Sequence, residues 1–293
     1  MRNRRARFVA TAWVVGALFS AGCSASYNGE RLFWKAQHVS HDIIKDPTHA
    51  TPEQLAKAIQ AYELVTRKTP QTVWAAQAYV SIGSFYAIGK QYDKARDAYR
   101  MLLQNYAQYQ ELCERARLAI AMTFEAEQKW DDANKAYYEV ADYHPWTKLG
   151  LEAPLYVAVS HQKRQEAEKA TRAYERAVRI YLKLLPNAPN PEMAAQVKAY
   201  LSLAYQHLEE WEQAARLLEE LLPIAKPEGR PLILMTIGSI YEKKLHDPRK
   251  AQEVYTKLAT EFPDHPFGKA AKTQLGQLGV SVPPVNPSIP ATR

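Results

Sequence analysis

Small and bulky apolar positions return along this chain at fixed intervals. An alanine followed four residues later by a bulky, usually aromatic, side chain occurs as Ala58/Tyr62, Ala95/Tyr99, Ala133/Tyr137, Ala170/Tyr174, Ala214/Leu218 and Ala251/Tyr255. A four-residue step puts both side chains on one face of an α-helix. Successive alanines are 37, 38, 37, 44 and 37 residues apart. Upstream of five of them, at offsets of 12, 12, 12, 12 and 13, stands a small residue: Gly83, Ala121, Ala158, Ser202 and Gly238. A ring follows each small residue three positions on, at Tyr86, Phe124, His161, Tyr205 and Tyr241. Proline lies twelve residues past the alanine at Pro70, Pro145 and Pro263.

Each landmark has a mechanical reading. The small residue on a first helix lets a second helix approach closely, with the alanine as its partner across the contact. The ring fills the wedge where the helices diverge, and the proline, which cannot continue a helix, marks the exit. The pattern predicts helices near 29–45, 53–68, 72–89, 91–107, 110–128, 130–143, 148–164, 167–185, 191–208, 210–223, 230–245, 248–262 and 266–277. That is an all-α chain of about six helix pairs plus a capping helix, without a strand of consequence. The offset of 13 in the last full unit places one extra residue near His246-Asp247-Pro248. The unit around 151–186 is the weakest, since His161 replaces an aromatic ring and QKRQEAEKATRAYERA offers no clear turn. The first unit carries an insertion, DPTHATPEQ, between its helices. VSVPPVNPSIPATR, with four prolines in 14 residues, reads as an extended, unpacked end.

These landmarks resemble the tetratricopeptide repeat (TPR) signature of small, aromatic, Ala, aromatic and Pro positions over about residues 30 to 278. The pitch is mostly 37 where the family has about 34, and the extra residues fall after the second helix. The resemblance implies a right-handed α-solenoid whose first helices line a concave face. It also implies groove-facing residues at the second, fifth, ninth and twelfth positions of each unit. These are Gln77, Val80, Ser84 and Ala87, then Arg115, Leu118, Met122 and Glu125, then Glu152, Leu155, Val159 and Gln162, and later Gln196, Ala199, Leu203 and Gln206. The lining is mixed apolar and amide. The carboxylate-gripping subtype needs Lys and Asn at the fifth and ninth positions, which Val80/Ser84 and Leu118/Met122 do not supply.

The first residues have a different character. MRNRRAR is basic, Phe8 to Gly22 is a 15-residue apolar run, and Ser20-Ala21-Gly22 precede Cys23. That order is the plan of a secretory signal peptide, and fifteen residues are short of a bilayer core. The cysteine after Ala21-Gly22 resembles the bacterial lipobox, which implies cleavage after residue 22 and acylation of Cys23. An ordinary signal peptide cut nearby, for example after Ala25, is the competing reading. Ser24 after the cysteine implies the periplasmic face of the outer membrane as the destination. The resulting division is a signal peptide over 1–22, a tether over 23–29, a solenoid over 30–278 and a Pro-rich tail over 279–293.

Composition changes this picture little. Of 293 residues 47% are hydrophobic and 24% charged, as in a folded protein, and 11 glycines against 18 tyrosines favour helix packing. The net charge of +7 falls to +3 once residues 1–22, with Arg2, Arg4, Arg5 and Arg7, are removed. No stripe is dense enough for phosphate-backbone binding, so nucleic acid is not an expected partner.

Motifs that carry chemistry are missing. There is no GxGxxG or GxxxxGK loop, no GxSxG elbow and no HExxH helix. His38 and His41 lie one helical turn apart without an evident third ligand. Two cysteines, Cys23 and Cys113, make neither a disulfide framework nor a thiolate zinc site, and Cys113 reads as a small buried residue or, alternatively, as an intermolecular disulfide. Glu209-Glu210, Asp131-Asp132 and Glu219-Glu220 read as helix-start or solvated charges. No catalytic residue, metal, cofactor or small-molecule substrate is expected.

A membrane-tethered, non-catalytic scaffold is therefore the expectation, with an envelope protein or peptide held by the concave face. Segments such as TPQTVWAAQAYVSIGSFYAIGKQYDKARDAY and EFPDHPFGKAAKTQLGQL resemble the TPR lipoproteins of outer-membrane β-barrel assembly. An accessory lipoprotein of a polysaccharide exporter, secretin or pilus is the alternative, and an envelope hydrolase a remote one.

Overall fold

Five tight turns, four of them built alike, set the architecture. Each ends a helix with a non-glycine residue in the left-handed region: Lys90 (φ 58°), Gln128 (φ 59°), Gln165 (φ 61°), Glu209 (φ 60°) and His246 (φ 51°). In the first four, the next residue's N–H donates back to the carbonyl of the ring landmark five positions earlier. These bonds are Gln91 to Tyr86 (2.8 Å), Lys129 to Phe124 (2.9 Å), Glu166 to His161 (3.1 Å) and Glu210 to Tyr205 (2.9 Å). In the fifth, Asp247 N–H reaches Tyr241 O at 2.8 Å, six positions back. The turn thus absorbs the extra residue that the sequence places at 246–248. The segment at 161–170, which shows no turn signal, folds into the same turn as the others. Its chain reversal is carried by backbone bonds, which leave no mark on residue type.

The computed structural model describes the backbone of residues 4–279 and the side chains of 25–279. Its thirteen α-helices form two compact units that divide after His144. The first unit holds α1 (Arg4–Lys45), α2 (Pro52–Lys68), α3 (Val73–Ile88), α4 (Tyr92–Asn105), α5 (Gln110–Ala126) and α6 (Trp130–Tyr143). The second holds α7 (Lys148–Lys163), α8 (Ala167–Leu184), α9 (Pro191–His207), α10 (Trp211–Leu221), α11 (Arg230–Lys243), α12 (Pro248–Glu261) and α13 (Pro266–Gln277). Within each unit every helix packs on its chain neighbours, and first helices also touch first helices, as α3 does α1 and α5, and α11 does α13. No strand occurs among the described residues.

Residues 23–29, expected as a tether, belong to α1, which has no proline to stop it before Pro47. Cys23 itself lies outside the residues whose side chains are described, and the expected tail lies outside the described residues beyond Gly279. The insertion in the first unit is a 3-10 turn at Pro47–His49 followed by a full capping box, in which Gln54 N–H donates to Thr51 Oγ1 (3.2 Å) and Thr51 N–H to Gln54 Oε1 (2.8 Å). The long 44-residue spacing is taken up by a second 3-10 turn at Leu185–Asn187.

Helix entries obey local chemistry. Thr72, Thr147, Asn190 and Asp247 cap α3, α7, α9 and α12 through their side chains, each such cap contributing about 1 kcal/mol. The core is small against large: Ala58, Ala75, Ala95, Ala214 and Ala251 are fully buried, as are Tyr62, Tyr181 and Tyr255. At the capping helix, Gly268 sits so close to the Phe262 carbonyl that an added Cβ would lie 1.8 Å from its oxygen. Eight residues before the small landmark, Ala75, Cys113 and Gly150 occupy one buried slot, so Cys113 stands where a small side chain is required. Its Sγ lies 3.5 Å from Tyr106 O, and burial pushes the thiol pKa up. With only 5% of its surface exposed, Cys113 is not presented to a second chain for the intermolecular disulfide that sequence left open.

A candidate partner-binding cleft

Besides Tyr62 in α2, which meets Ser40 Oγ at 3.2 Å, four of the second helices carry a tyrosine whose hydroxyl closes the gap to its own first helix. Tyr99 OH meets Ser84 Oγ at 3.3 Å, Tyr137 OH donates to Glu125 Oε2 at 2.8 Å, Tyr174 OH to Gln162 Oε1 at 2.9 Å, and Tyr255 OH to Glu242 Oε2 at 2.8 Å. The rings press on the small landmark. An added Cβ at Gly83 or Gly238 would lie 2.4 Å from the ring of Tyr99 or Tyr255. Burial, with the Glu242 carboxylate second, pushes the Tyr255 hydroxyl pKa up, so the phenol remains a donor. The acceptor stands four residues after the small landmark in three of these locks (Glu125, Gln162 and Glu242). In the first, Ala87 has no acceptor there and Ser84 substitutes.

The pair α9/α10 departs from this scheme. Leu218 stands where the others have tyrosine, and Gln206, which would be its acceptor, turns its Nε2 to Ser202 Oγ at 3.4 Å. Ser202 Oγ in turn donates to Ala214 O at 3.1 Å, fastening α9 to α10 without a ring. A cleft of about 740 Å³ lies beside this pair, between α9, α10, the α10–α11 connection and α11. Its α9 wall carries Gln196, Ala199, Leu203 and Gln206, its far wall Leu232, Ile233 and Thr236, and its base Leu218 and Leu221. Leu203, Ile224 and Leu232 keep 41%, 53% and 57% of their surface exposed. Glu192 and Lys226, 3.9 Å apart, flank one end. The arrangement can bury apolar side chains and bond a backbone through amides.

The tetratricopeptide repeat family model matches residues 75–109 and 115–145, which span α3 with α4 and α5 with α6. Over those two stretches the chain is similar to tetratricopeptide repeats. Among the described residues each unit is all-α with the TPR-like pairing that the landmarks predict, three helix pairs in the first and three pairs with a final helix in the second. Solved structures similar to it include YrrB, described as a TPR protein with an unusual peptide-binding site, at 13% identity and a TM-score of 0.40 over 73% of this chain and 99% of that one. BtubC from P. vanneervenii is 13% identical, with a TM-score of 0.39 over 86% of this chain and 91% of that chain. A tetratricopeptide repeat protein from Parabacteroides merdae is 10% identical, with a TM-score of 0.37 over 84% and 88%. No curated protein matches the chain significantly.

The residues picked from the repeat resemblance fall into two sets. Gln196, Leu203 and Gln206, with Ala199, come together on the cleft wall. Ser84, Glu125 and Gln162 are engaged inside their own repeats as tyrosine partners. In the first unit Gln77, Val80 and Leu118 are half-buried, and Arg115 and Met122 are exposed. In the second, Val159 is half-buried and Leu155 buried, and neither lines the cleft. Sequence reasoning missed the far wall. Leu232, Ile233 and Thr236 belong to the sixth repeat, and Ile224 to the α10–α11 connection, which no landmark marks.

Other candidates resolve into packing. His38 and His41 are exposed, His38 stacking on Trp34 with ring centroids 6.4 Å apart. No group of three His, Cys, Asp or Glu positioned for a metal occurs among the described residues. Glu219 accepts from Tyr241 OH at 2.7 Å, and Glu220 pairs with Lys198 at 2.7 Å. Tyr106 and Tyr181, off the repeat pattern, are buried and donate to the carbonyls of Pro70 and Leu151, tying a second helix to the start of its own repeat's first helix or the loop before it. The His161 position keeps its ring role by polar means. Its Nδ1 lies 2.6 Å from Glu166 Oε2, whose carboxyl is thereby held down to about 2, with Lys169 and Arg164 adding to the effect. Arg96, which no motif signals, is buried between Asp93 and Glu127 and lies 4.3 Å from the Phe124 ring centroid.

Proposed function

We propose that the protein is a non-catalytic interaction scaffold whose fifth and sixth repeats take an extended, largely apolar segment of a partner protein. The observation that carries this reading is Leu218. Where the other second helices carry tyrosine, leucine contributes to the base of an apolar cleft with three half-exposed aliphatic side chains at its rim and two glutamines on its wall. A groove of this kind supplies apolar pockets for alternate side chains and amide groups for a backbone.

The chain's place in the cell is part of the proposal. The basic start, the apolar run and the small residues before Cys23 support removal of residues 1–22 and acylation of Cys23, with tethering at the periplasmic face of the outer membrane. Resemblance to barrel-assembly lipoproteins favours a role in outer-membrane protein assembly. Service to an exporter, secretin or pilus is the alternative outcome of the same test.

That test is affinity purification of the tagged protein from detergent-solubilised native membranes, with Cys23→Ala and Leu203→Glu variants alongside. Expected is a partner recovered stoichiometrically with the parent chain, lost with Leu203→Glu, and Cys23→Ala protein released from membranes. Recovery of a barrel-assembly channel supports the first role, and recovery of export or pilus components the second. A partner held equally well by Leu203→Glu and Leu232→Glu variants would remove the cleft from the account.

A further inference from the structure

We propose that the cleft between α9 and α11 is occupied in the resting protein by the chain's own C-terminal segment, Val280–Arg293, which a partner must displace. The inference rests on the reading of that cleft as a peptide site and adds its regulation.

Reach is the first argument. Helix α13 packs against both α11 and α12, and its end is fixed there, since Gln252 Nε2 donates to Leu278 O at 3.5 Å. Gly279, at φ +75°, turns the chain off the helix. Two antiparallel steps make α13 parallel to α11, so the segment starts beside the C-terminal end of α11. From Lys243 back to Leu232 is about 16 Å along that helix, and one helix spacing adds about 10 Å. An extended Pro-rich chain advances about 3.1 Å per residue. Eight or so of the fourteen residues cover the distance, leaving Pro287-Ser288-Ile289-Pro290 and its flanks to lie in the cleft.

Chemistry is the second. The segment holds Val280, Val282, Val285 and Ile289 among four prolines, and its one charged side chain is Arg293. Prolines bring carbonyl acceptors without N–H donors. The cleft offers the complement: an aliphatic lining from Leu203, Leu218 and Leu232, with Gln196 and Gln206 side-chain amides to donate. Proline also lowers the ordering cost of docking.

The magnitude follows from tethering. A short linker gives an effective concentration of about 1 mM, so a segment that binds with a Kd of about 100 μM when free fills the cleft about ten to one when attached. The experiment compares the full chain with one ending at Gly279, using the fluorescein-labelled peptide of sequence 280–293 and fluorescence anisotropy. Expected is saturable binding to the shortened chain, at least about tenfold weaker binding to the full chain, and loss of binding when the shortened chain carries Leu203→Glu. Equal affinity for the two chains, or no binding to the shortened one up to about 1 mM, overturns the inference. A library of random displayed peptides panned on the shortened chain separates the two claims. Binders that depend on Leu203 while the tail peptide fails leave the cleft standing and remove only the tail. Absence of any Leu203-dependent binder removes both.

Discussion

Gly238→Ala measures how tightly a repeat is locked by its tyrosine. The new Cβ would lie 2.4 Å from Cε1 and 2.7 Å from Cδ1 of Tyr255, where carbon atoms prefer about 3.5–4.0 Å. The ring must withdraw by about 1 Å, yet it is fully buried and its hydroxyl is held by Glu242 at 2.8 Å. Overpacking of this kind costs about 1–3 kcal/mol, while replacing glycine inside a helix returns about 1 kcal/mol. Gly276→Ala in α13 is the control, because nothing lies within 4 Å of its Cβ and it collects the helix gain alone. The two variants should therefore differ by about 1–3 kcal/mol, or about 2–12 °C in unfolding midpoint for a unit of this size. Far-UV circular dichroism on heating reads it. A double-mutant cycle adds the cause, since the cost of Gly238→Ala should vanish in a Tyr255→Leu background. Because the slot accepts Ala121 and Ala158 elsewhere, the loss is one of local repacking and not of the fold. Equal midpoints for Gly238→Ala and Gly276→Ala would refute the lock.

Leu218→Tyr should narrow the cleft at its base and withdraw Gln206 from its wall, the new hydroxyl meeting Gln206 as the other tyrosines meet their acceptors. Partner or peptide binding is then lost at least about tenfold while stability stays within about 1 kcal/mol, read by anisotropy and urea unfolding together. Leu203→Ala should weaken binding about fivefold, since the 41% of its surface still exposed is worth about 1 kcal/mol on burial; an unchanged Kd would place the contact elsewhere. The Glu166 carboxyl is depressed from 4.5 to about 2 by His161, Lys169 and Arg164. A carboxyl lowered by folding adds stability that is fully present above its unfolded pKa and fades as pH falls toward 2. Glu166→Gln should flatten the pH dependence of the urea midpoint over that window, and parallel profiles would contradict the pairing. Gln165→Gly should raise the midpoint, because a left-handed non-glycine residue costs about 1–2 kcal/mol against about 0.5–1 kcal/mol of extra glycine entropy; Gln165→Val should lower it.

Landmarks that repeat were legible because each reports a contact of fixed size. The Ala-to-Tyr step and the small residue before it place twelve of the helices to within a residue or two, and the offset of 13 located an extra turn residue that the structure shows at His246. What stayed hidden has no fixed chemistry. Lys90, Gln128, Gln165 and Glu209 share a backbone conformation and nothing else, so the turn at 161–166 could not be seen. Ser40, fully buried and 3.2 Å from Tyr62 OH, makes the first repeat's contact, but the insertion stretches its spacing and conceals it. Arg96 is a surface residue by type and a buried one by partners. The cleft was half legible: Gln196, Leu203 and Gln206 follow from repeat position, whereas Leu232 and Ile224 come from the next repeat and a connection.

One slot explains both the sameness of the repeats and the difference of the fifth. A tyrosine there needs two things from its own first helix, a small residue to receive the ring and an acceptor for the hydroxyl. Where both are present the helices close on each other and the twelfth repeat position is consumed, as Glu125 and Gln162 are. Those residues therefore cannot also grip a partner without releasing a buried phenol, which costs about 1–3 kcal/mol. With Leu218 the hydroxyl disappears, Gln206 is left with only a 3.4 Å bond inside its own helix, and both side chains line the cleft instead of closing a lock. A single residue type thus converts a position that holds the stack together into one that can hold something else, and it does so where α9 and α11 already present Leu203 and Leu232 face to face across the gap.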